Sequence, residues 1–120
     1  MLVLVGQEVA WHVELAVQPA QCAAFRALTT EMIHAAGRER GVLAYRRYLS
    51  EDGTTAVVYE HYATSNAAVA HLDLFNERFA AAFERLAIRR RFLVIGMPSS
   101  VLRTLLQSYG AVFLNPVGGF

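Results

Sequence analysis

The fold is decided by the stretch TAVVYEHYATSNAAVAHL, residues 55–72. Its first eight residues have the β-branched and aromatic composition of a strand whose alternate side chains face opposite sides. A Thr-Ser-Asn cluster then ends the strand, and the spacing of apolar residues becomes helical. The stretch therefore predicts a strand-to-helix junction that gathers Glu60, Tyr62 and His71 around one corner.

The flanking sequence completes an order of strand, helix, strand, strand, helix and strand. Strands are predicted at 11–17, 42–49, 55–62 and 91–97, and helices at 20–38 and from 66 to 87. A turn at Asp52-Gly53 makes the second and third strands an antiparallel hairpin. This order predicts an α+β class, ferredoxin-like βαββαβ fold with both helices on one face of an antiparallel sheet.

The predicted domain occupies most of the chain. Residues 1–10 are interpreted as an N-terminal arm, 11–97 as the ferredoxin-like domain and 98–120 as a C-terminal extension with a short helix at 99–109 and a strand at 111–114. The 120 residues suit a single domain.

An apolar surplus predicts self-association. Hydrophobic residues make up 55% of the chain and charged residues only 18%. Two helices cover one face of four strands, yet the strand sequences are apolar on the other face too. Burial of each medium-sized apolar side chain contributes about 1.5–3 kcal/mol to stability, so an exposed apolar face would forfeit a large share of it. We therefore expect a homodimer packed sheet to sheet, with a partly hollow apolar interior between the helix layer and the sheet.

Composition argues against several classes of partner. The net charge is +1 and no basic stripe carries interleaved aromatics, so nucleic acid is not an expected partner. The run Arg89-Arg90-Arg91 is interpreted as a solvated loop before the fourth strand or as a clamp on an anionic ligand.

No apolar run is long enough to span a membrane, and the opening MLVLVGQ lacks the features of a signal peptide. With one cysteine, Cys22, a cytoplasmic protein is expected.

His12 and Glu14 share one face of the first strand, opposite Trp11. If Trp11 faces the helices, this pair faces the other copy. The two side chains then form a hydrogen-bonded pair that fixes the register of the dimer, or His12 serves as a base whose basicity Glu14 increases.

Glu60 and Tyr62 also share a face, two residues apart. Glu60 pairs with an arginine of the neighbouring strand, Arg46 or Arg47, or it contacts a ligand together with Tyr62. In the second interpretation the Tyr62 hydroxyl donates a hydrogen bond to a substrate oxygen.

Three further residues are candidates near the second helix and strand. His71 ties the helix to a strand end or serves as a site residue; Asn66 caps the helix or contacts ligand; Tyr48 belongs to an aromatic wall. The histidines show no metal-ligand spacing, and Glu60 and His61 point to opposite faces of a strand, so no metal is predicted.

Residues 11–97 resemble the antibiotic biosynthesis monooxygenase family. The resemblance rests on Glu60 and Tyr62, two residues apart in the strand TAVVYEHY, followed by Ala67, His71 and Phe79. The opening strand that ends at Gln18-Pro19, and the helix with Phe25 after it, also fit the family.

The resemblance implies a dimeric α/β barrel, some of whose members oxidise phenols or quinols with molecular oxygen and without a metal or flavin. It implies no cofactor, a small aromatic substrate with O₂, His71 or His12 as the base and Tyr62 as the oxygen-orienting donor. Glu60, Glu14, Tyr48 and Asn66 are the implied substrate contacts. The alternative is a non-catalytic dimeric barrel that binds a small apolar ligand or acts as an interaction module.

A haem-degrading branch of the family is less similar to this chain. It carries an Asn on the first strand, a Trp on the third and a His late on the second helix. These positions fall on His12, Tyr62 and Ala81 or Ala82. Because alanine cannot ligate iron, haem degradation is not predicted.

Overall fold

A computed structural model describes residues 7–120 of the chain. The elements follow in the order β1 (Val9–Val17), α1 (Cys22–Ala36), β2 (Val42–Leu49), β3 (Thr55–Tyr62), α2 (Ser65–Arg78), α3 (Ala80–Leu86), β4 (Ala87–Gly96), α4 (Ser100–Gln107) and β5 (Val112–Leu114). The predicted arm 1–10 lies outside the described residues except for 7–10, and β1 already begins within it at Val9.

The strands form one sheet in the order β2-β3-β1-β4-β5. Neighbouring strands from β2 to β4 are antiparallel, whereas β5 runs parallel to β4. The central strand β1 has Val13 opposite Val58 on one side and Phe92 on the other. The predicted ferredoxin-like fold is therefore confirmed, with β5 added as a parallel edge strand.

The core lies between one sheet face and the helices. Alternation along β1 buries Trp11, Val13, Leu15 and Val17. Residues at helical spacing on α1 meet this face and are buried: Phe25, Leu28, Met32 and Ala36.

The second predicted helix is two helices. Phe79, with φ −125° and ψ −23°, ends α2 and precedes α3. The break leaves Phe75 and Phe83 on the core side, with their ring centroids 5.5 Å apart in an edge-to-face arrangement.

The arginine run is part of β4 and not a loop, so that prediction is wrong. Pairing with β1 shifts register between Glu14 and Leu15, because Arg91 lies opposite Glu14 and Arg89 lies opposite Leu15. Arg90 is thus the extra residue of a β-bulge, which changes the alternation of side chains along the strand. As a result Arg89 and Phe92 both face the helices although they are three residues apart.

The predicted hairpin turn is present, and its geometry explains why residue 53 is a glycine. Gly53 has φ +75°, and a Cβ built on it would lie 2.6 Å from the Cys22 sulfur. The Asp52 carboxylate accepts hydrogen bonds from Ser50 Oγ at 2.8 Å and from Thr54 Oγ1 at 2.7 Å. Both conformation and space therefore require glycine at position 53.

The C-terminal extension packs onto the domain. Ser99 caps α4 by accepting a hydrogen bond from the Leu102 N–H at 3.2 Å. Leu102 and Leu106, one turn apart, are completely buried. The extension therefore belongs to the same core as the ferredoxin-like domain.

The other sheet face carries no helix in the described part of the chain. It exposes Tyr48 and Ile95 among polar residues such as His12 and Glu14. No helix within residues 7–120 has both the length and the apolar character needed to cross a bilayer.

Replacing Leu102 by alanine is expected to lower the free energy of unfolding by about 2–5 kcal/mol, because a fully buried leucine is lost and a cavity is left. Urea denaturation at fixed protein concentration measures this change. Val101→Ala, one residue away and 62% exposed, is the matched control and should change stability by less than about 0.5 kcal/mol. Equal stabilities of the two variants would show that α4 does not anchor to the core.

Candidate functional site

A cavity of about 40 Å³ lies between the sheet and the helices. Most of its wall is apolar, and polar groups come from only a few side chains. It is lined by Trp11, Val13, Met32, Arg47, Val58, Glu60, His71, Leu72, Phe75, Phe83, Arg89, Phe92 and Tyr109. An apolar cavity with a few convergent polar groups is the usual form of a small-molecule site.

Glu60 is the buried acid of this cavity, 6% exposed. Its Oε1 accepts hydrogen bonds from Trp11 Nε1 at 3.0 Å and from the Tyr62 hydroxyl at 2.5 Å. Its Oε2 accepts one from Arg47 Nη2 at 2.6 Å. Strand geometry explains the cluster, because Tyr62 is two residues along β3 and Trp11 lies directly opposite on β1.

His71 reaches the same carboxylate from α2. Its Nδ1 lies 3.0 Å from Glu39 Oε1, and its Nε2 lies 3.6 Å from Glu60 Oε1. A carboxylate only accepts hydrogen bonds, so Nδ1 carries a proton and, in the neutral ring, Nε2 is left as the acceptor. The ring is further held by the edge of Tyr45, whose centroid is 5.2 Å away.

The carboxylate of Glu60 remains ionised although it is buried. Burial raises its pKa, but the charge of Arg47, the charge of His71 whenever its ring is protonated, and the hydrogen bonds from Tyr62 and Arg47 lower it further, so the pKa lies below the usual range. Burial and the neighbouring Glu60 charge raise the pKa values of Tyr62 and Tyr45. Both phenols therefore stay protonated at neutral pH.

The predicted ion pair of Glu60 is confirmed with Arg47 and not with Arg46. Arg46 lies on the opposite face of β2 and is exposed, whereas the Arg47 side chain is 6% exposed. The Arg47 guanidinium carbon also lies 3.5 Å from the centroid of the Tyr45 ring, in a cation–π contact.

The opposite wall of the cavity comes from β4 and the turn after α4. Tyr109 stacks on Phe92 with centroids 5.6 Å apart and planes 10° apart. The guanidinium carbon of Arg89 lies 4.3 Å from the Tyr109 centroid, and its Nη1 lies 3.2 Å from an exposed Glu84 carboxylate. The C-terminal extension thus closes part of the cavity.

The structure brings Glu60, Tyr62 and His71 together, as the junction in the sequence predicts. Tyr62 is completely buried, and its single hydroxyl proton is donated to Glu60. This differs from the expected donation to a substrate oxygen. Its observed contact orients the carboxylate.

The other candidates lie away from the cavity. His12 and Glu14 are exposed on the uncovered sheet face, as predicted for the side opposite Trp11, and the structure shows no hydrogen bond between them. Tyr48 is 57% exposed on the same face. Asn66 is exposed on the first turn of α2.

The interpretation of Asn66 as the helix cap is wrong. Thr64 is the N-cap of α2, and its Oγ1 accepts a hydrogen bond from the Ala67 N–H at 3.1 Å. Within residues 7–120, no group of three or more His, Cys, Asp or Glu side chains has an arrangement that could hold a metal ion.

Sequence reasoning missed Glu39 and Tyr109 as site residues, and it named Arg89 only within an arginine run interpreted as a loop or as an anion clamp. Glu39 follows α1 in a loop, and no periodicity indicates which way it points. Arg89 faces the cavity only because of the bulge in β4. Arg47 was identifiable, because strand alternation places it on the same face as Tyr45, but the choice between Arg46 and Arg47 needed the pairing register.

Replacing Glu60 by glutamine is expected to lower the free energy of unfolding at neutral pH by about 3–5 kcal/mol, because Arg47 is left buried without its counter-charge. Since the pKa of Glu60 is lower in the folded chain, its ionised form stabilises the fold above the ordinary value of 4.5. This contribution is lost as pH falls through the lower folded-state pKa.

Urea unfolding of both proteins across the acid range measures the effect. The stability difference between wild type and Glu60→Gln should be constant near neutrality and shrink in acid. Glu77→Gln, an exposed change on α2, is the matched control. A difference that stays constant down to strongly acidic pH would contradict this account of the buried carboxylate.

Comparisons with known proteins identify the family and agree with the fold. The family model for antibiotic biosynthesis monooxygenase matches residues 9–85. The crystal structure of MupZ from Pseudomonas fluorescens is similar with a TM-score of 0.83 at 23% identity, covering 95% of this chain and 93% of that chain. A comparison with curated proteins gave no match.

Two other solved structures share the fold over a shorter range. Rv0793 from Mycobacterium tuberculosis is 28% identical, with a TM-score of 0.63, covering 78% of this chain and 97% of that chain. A variant of SnoaB from Streptomyces nogalater, a cofactor-independent oxygenase, is 17% identical with a TM-score of 0.59. The match covers 79% of this chain and 97% of that chain. The family match covers more than half of the chain, so this protein belongs to the antibiotic biosynthesis monooxygenase family and has its ferredoxin-like α+β fold.

Proposed function

We propose that this protein is a cofactor-independent monooxygenase that acts on a small phenol or quinol, with His71 as the base. The observation that carries the proposal is the position of His71 at the cavity, between two carboxylates. Its Nδ1 contacts Glu39 at 3.0 Å, and its Nε2 faces Glu60 at 3.6 Å. Membership of a family that includes cofactor-independent oxygenases supports the reaction class.

The geometry suits proton removal from a hydroxyl. In neutral His71 the nitrogen Nε2 lies 3.6 Å from Glu60 Oε1, beyond hydrogen-bond distance, and a carboxylate has no proton to donate to it, so Nε2 is free to take a proton. A substrate hydroxyl that reaches Nε2 supplies that proton. The resulting imidazolium lies between Glu39 and Glu60, and two negative charges stabilise it.

Oxygen chemistry then follows from the substrate anion. The phenolate gives an electron to O₂, and the substrate radical and superoxide join at a ring carbon that carries hydrogen. The imidazolium protonates the peroxide. Loss of the carbon-bound proton, with cleavage of the O–O bond, leaves a carbonyl and releases water, so one oxygen atom enters the product and all electrons come from the substrate. The apolar wall keeps water from the intermediate.

Tyr62 and Trp11 act as positioning residues in this proposal. Both donate to Oε1 of Glu60, the oxygen that also faces His71. Their hydrogen bonds fix the carboxylate in the orientation that stabilises an imidazolium.

Substrate entry requires the cavity to enlarge. Its volume of about 40 Å³ is well below that of a cavity which binds benzene, about 150 Å³. Tyr109 is the side chain we expect to move. Its hydroxyl donates to Asn76 at the exposed end over a long 3.3 Å bond, and it lies in a turn after α4.

The same small volume favours the second candidate, a barrel that binds or interacts without turnover. In that case the buried pairs of Glu60 serve stability and specificity only. Dioxygen consumption with an accepted phenol separates the two candidates.

We also infer that two copies pack sheet to sheet. The uncovered face presents Tyr48 and Ile95, 57% and 47% exposed, with His12 and Glu14 between them. The fold family is that of dimeric α/β barrels. In such a dimer His12 and Glu14 belong to the interface and not to the cavity.

His71→Ala is expected to lower kcat for oxygen uptake by about 10²–10⁴-fold, because the general base is lost. An oxygen electrode with a panel of small phenols and quinols measures the rate, and ¹⁸O₂ with mass spectrometry tests whether one labelled atom enters the product. His34→Ala, exposed on α1, is the control. His12→Ala should also leave the rate unchanged, and a loss of rate there with none at position 71 would overturn the assignment.

Wild-type protein is expected to sediment at twice the chain mass at micromolar concentration. Leu93→Lys places a charge at the middle of the uncovered face, since Leu93 pairs with His12 of β1, and should shift the protein to monomer. Ile33→Lys makes the same change on an exposed site of α1 and should stay dimeric. A monomeric wild type, or equal behaviour of both variants, would count against the sheet-to-sheet dimer.

A further inference from the structure

Arg47 has one buried nitrogen whose N–H groups meet no hydrogen-bond acceptor. Its Nη2 donates to Glu60, and its guanidinium lies on the Tyr45 ring. Nη1, however, is buried and makes no hydrogen bond, and it is the one such side-chain nitrogen or oxygen found within residues 7–120. Buried N–H groups are nearly always satisfied in folded proteins, so a group of this kind calls for an acceptor supplied from elsewhere.

The position of Arg47 indicates where that acceptor comes from. Arg47 lines the cavity together with Glu60 and His71. Arg47 contacts Oε2 of the carboxylate and His71 faces Oε1. The unpartnered donor and the proposed base therefore flank one carboxylate at one cavity.

The chemistry of the wall selects the kind of acceptor. A guanidinium N–H only donates, and its charge favours an anionic oxygen over a carbonyl. Arg89 adds a second cation to the lining, although Glu84 pairs with it. Val13, Phe75 and Phe92 provide apolar surface for a ring. A small aromatic anion, with its charge on an oxygen, satisfies all of these groups.

We propose that Arg47 Nη1 binds the ionised hydroxyl oxygen of an aromatic ligand, a phenolate or enolate, and that Arg47 thereby selects acidic phenols. The ligand class rests on the proposed function, whereas the binding step does not require turnover. His71 accepts the hydroxyl proton, and the oxygen that it leaves charged becomes the acceptor for Arg47. The proton and the negative charge are thus held by separate groups.

The probe is 4-nitrophenol, whose phenolate form absorbs visible light. Spectrophotometric titration without a reaction measures both its affinity and its ionisation when bound. For the wild type we expect bound 4-nitrophenol to be ionised at a lower pH than in solution, and the phenolate to bind at least about tenfold more tightly than neutral nitrobenzene, as expected for a charge-assisted hydrogen bond.

Arg47→Lys keeps a positive charge for Glu60 but removes the second guanidinium nitrogen. We expect it to lose the preference for nitrophenolate over nitrobenzene. Arg26→Lys, exposed on α1, is the matched control and should keep the preference. If Arg47→Lys fails to fold, the wild-type comparison of nitrophenolate with nitrobenzene still decides, because equal affinities, absence of binding or binding as the neutral phenol would overturn the proposal.

The outcomes separate this inference from the oxygenase function. If nitrophenolate binding depends on Arg47 but no phenol supports oxygen uptake, the anion site is supported and the oxygenase function is ruled out. Oxygen uptake together with identical nitrophenolate binding by wild type and Arg47→Lys removes the anion site alone.

Discussion

The arrangement depends on one buried carboxylate. Glu60 lies on the core side of β3, between the buried side chains of Val58 and Tyr62. An ionised group in that position must be compensated on all sides. Trp11 and Arg47 provide this from the two adjacent strands, and Tyr62 from the same strand. The presence of Trp11 on β1, Arg47 on β2 and Tyr62 on β3 is thus explained by the need to compensate one buried acid.

The carboxylate also divides the cavity into two chemical regions. One oxygen of Glu60 faces His71, which is in turn held by Glu39. The other oxygen holds Arg47. In the reaction that we propose, a proton is stabilised in the first region and a negative charge in the second, so the two products of ionising a hydroxyl are accommodated side by side. In a dry cavity such fixed charges act strongly, because no solvent has to reorganise around them.

The sequence predicts the fold better than the site. Period-two alternation and the Asp52-Gly53 turn depend on local residues, and they place four strands and the face of Glu60 correctly. The choice of Arg47 over Arg46, and the inward turn of Arg89, depend on pairing with strands far away in the chain. Glu39 reaches His71 from a loop. No local pattern encodes such contacts, because they arise only when the sheet and helices have packed.

The wall opposite Glu60 is built from a different part of the chain. The family model ends at residue 85, whereas Arg89, Phe92 and Tyr109 follow it. MupZ, which covers 95% of this chain, is similar over most of that segment as well, while Rv0793 covers 78%. Glu39, Glu60 and His71 therefore come from the family segment, whereas Arg89, Phe92 and Tyr109, which form only part of the cavity wall, come from β4 and the extension. Because part of the cavity wall lies outside the family segment, we expect the size of an accepted ligand to depend on this second group, whereas the proton transfer that we propose depends on the first.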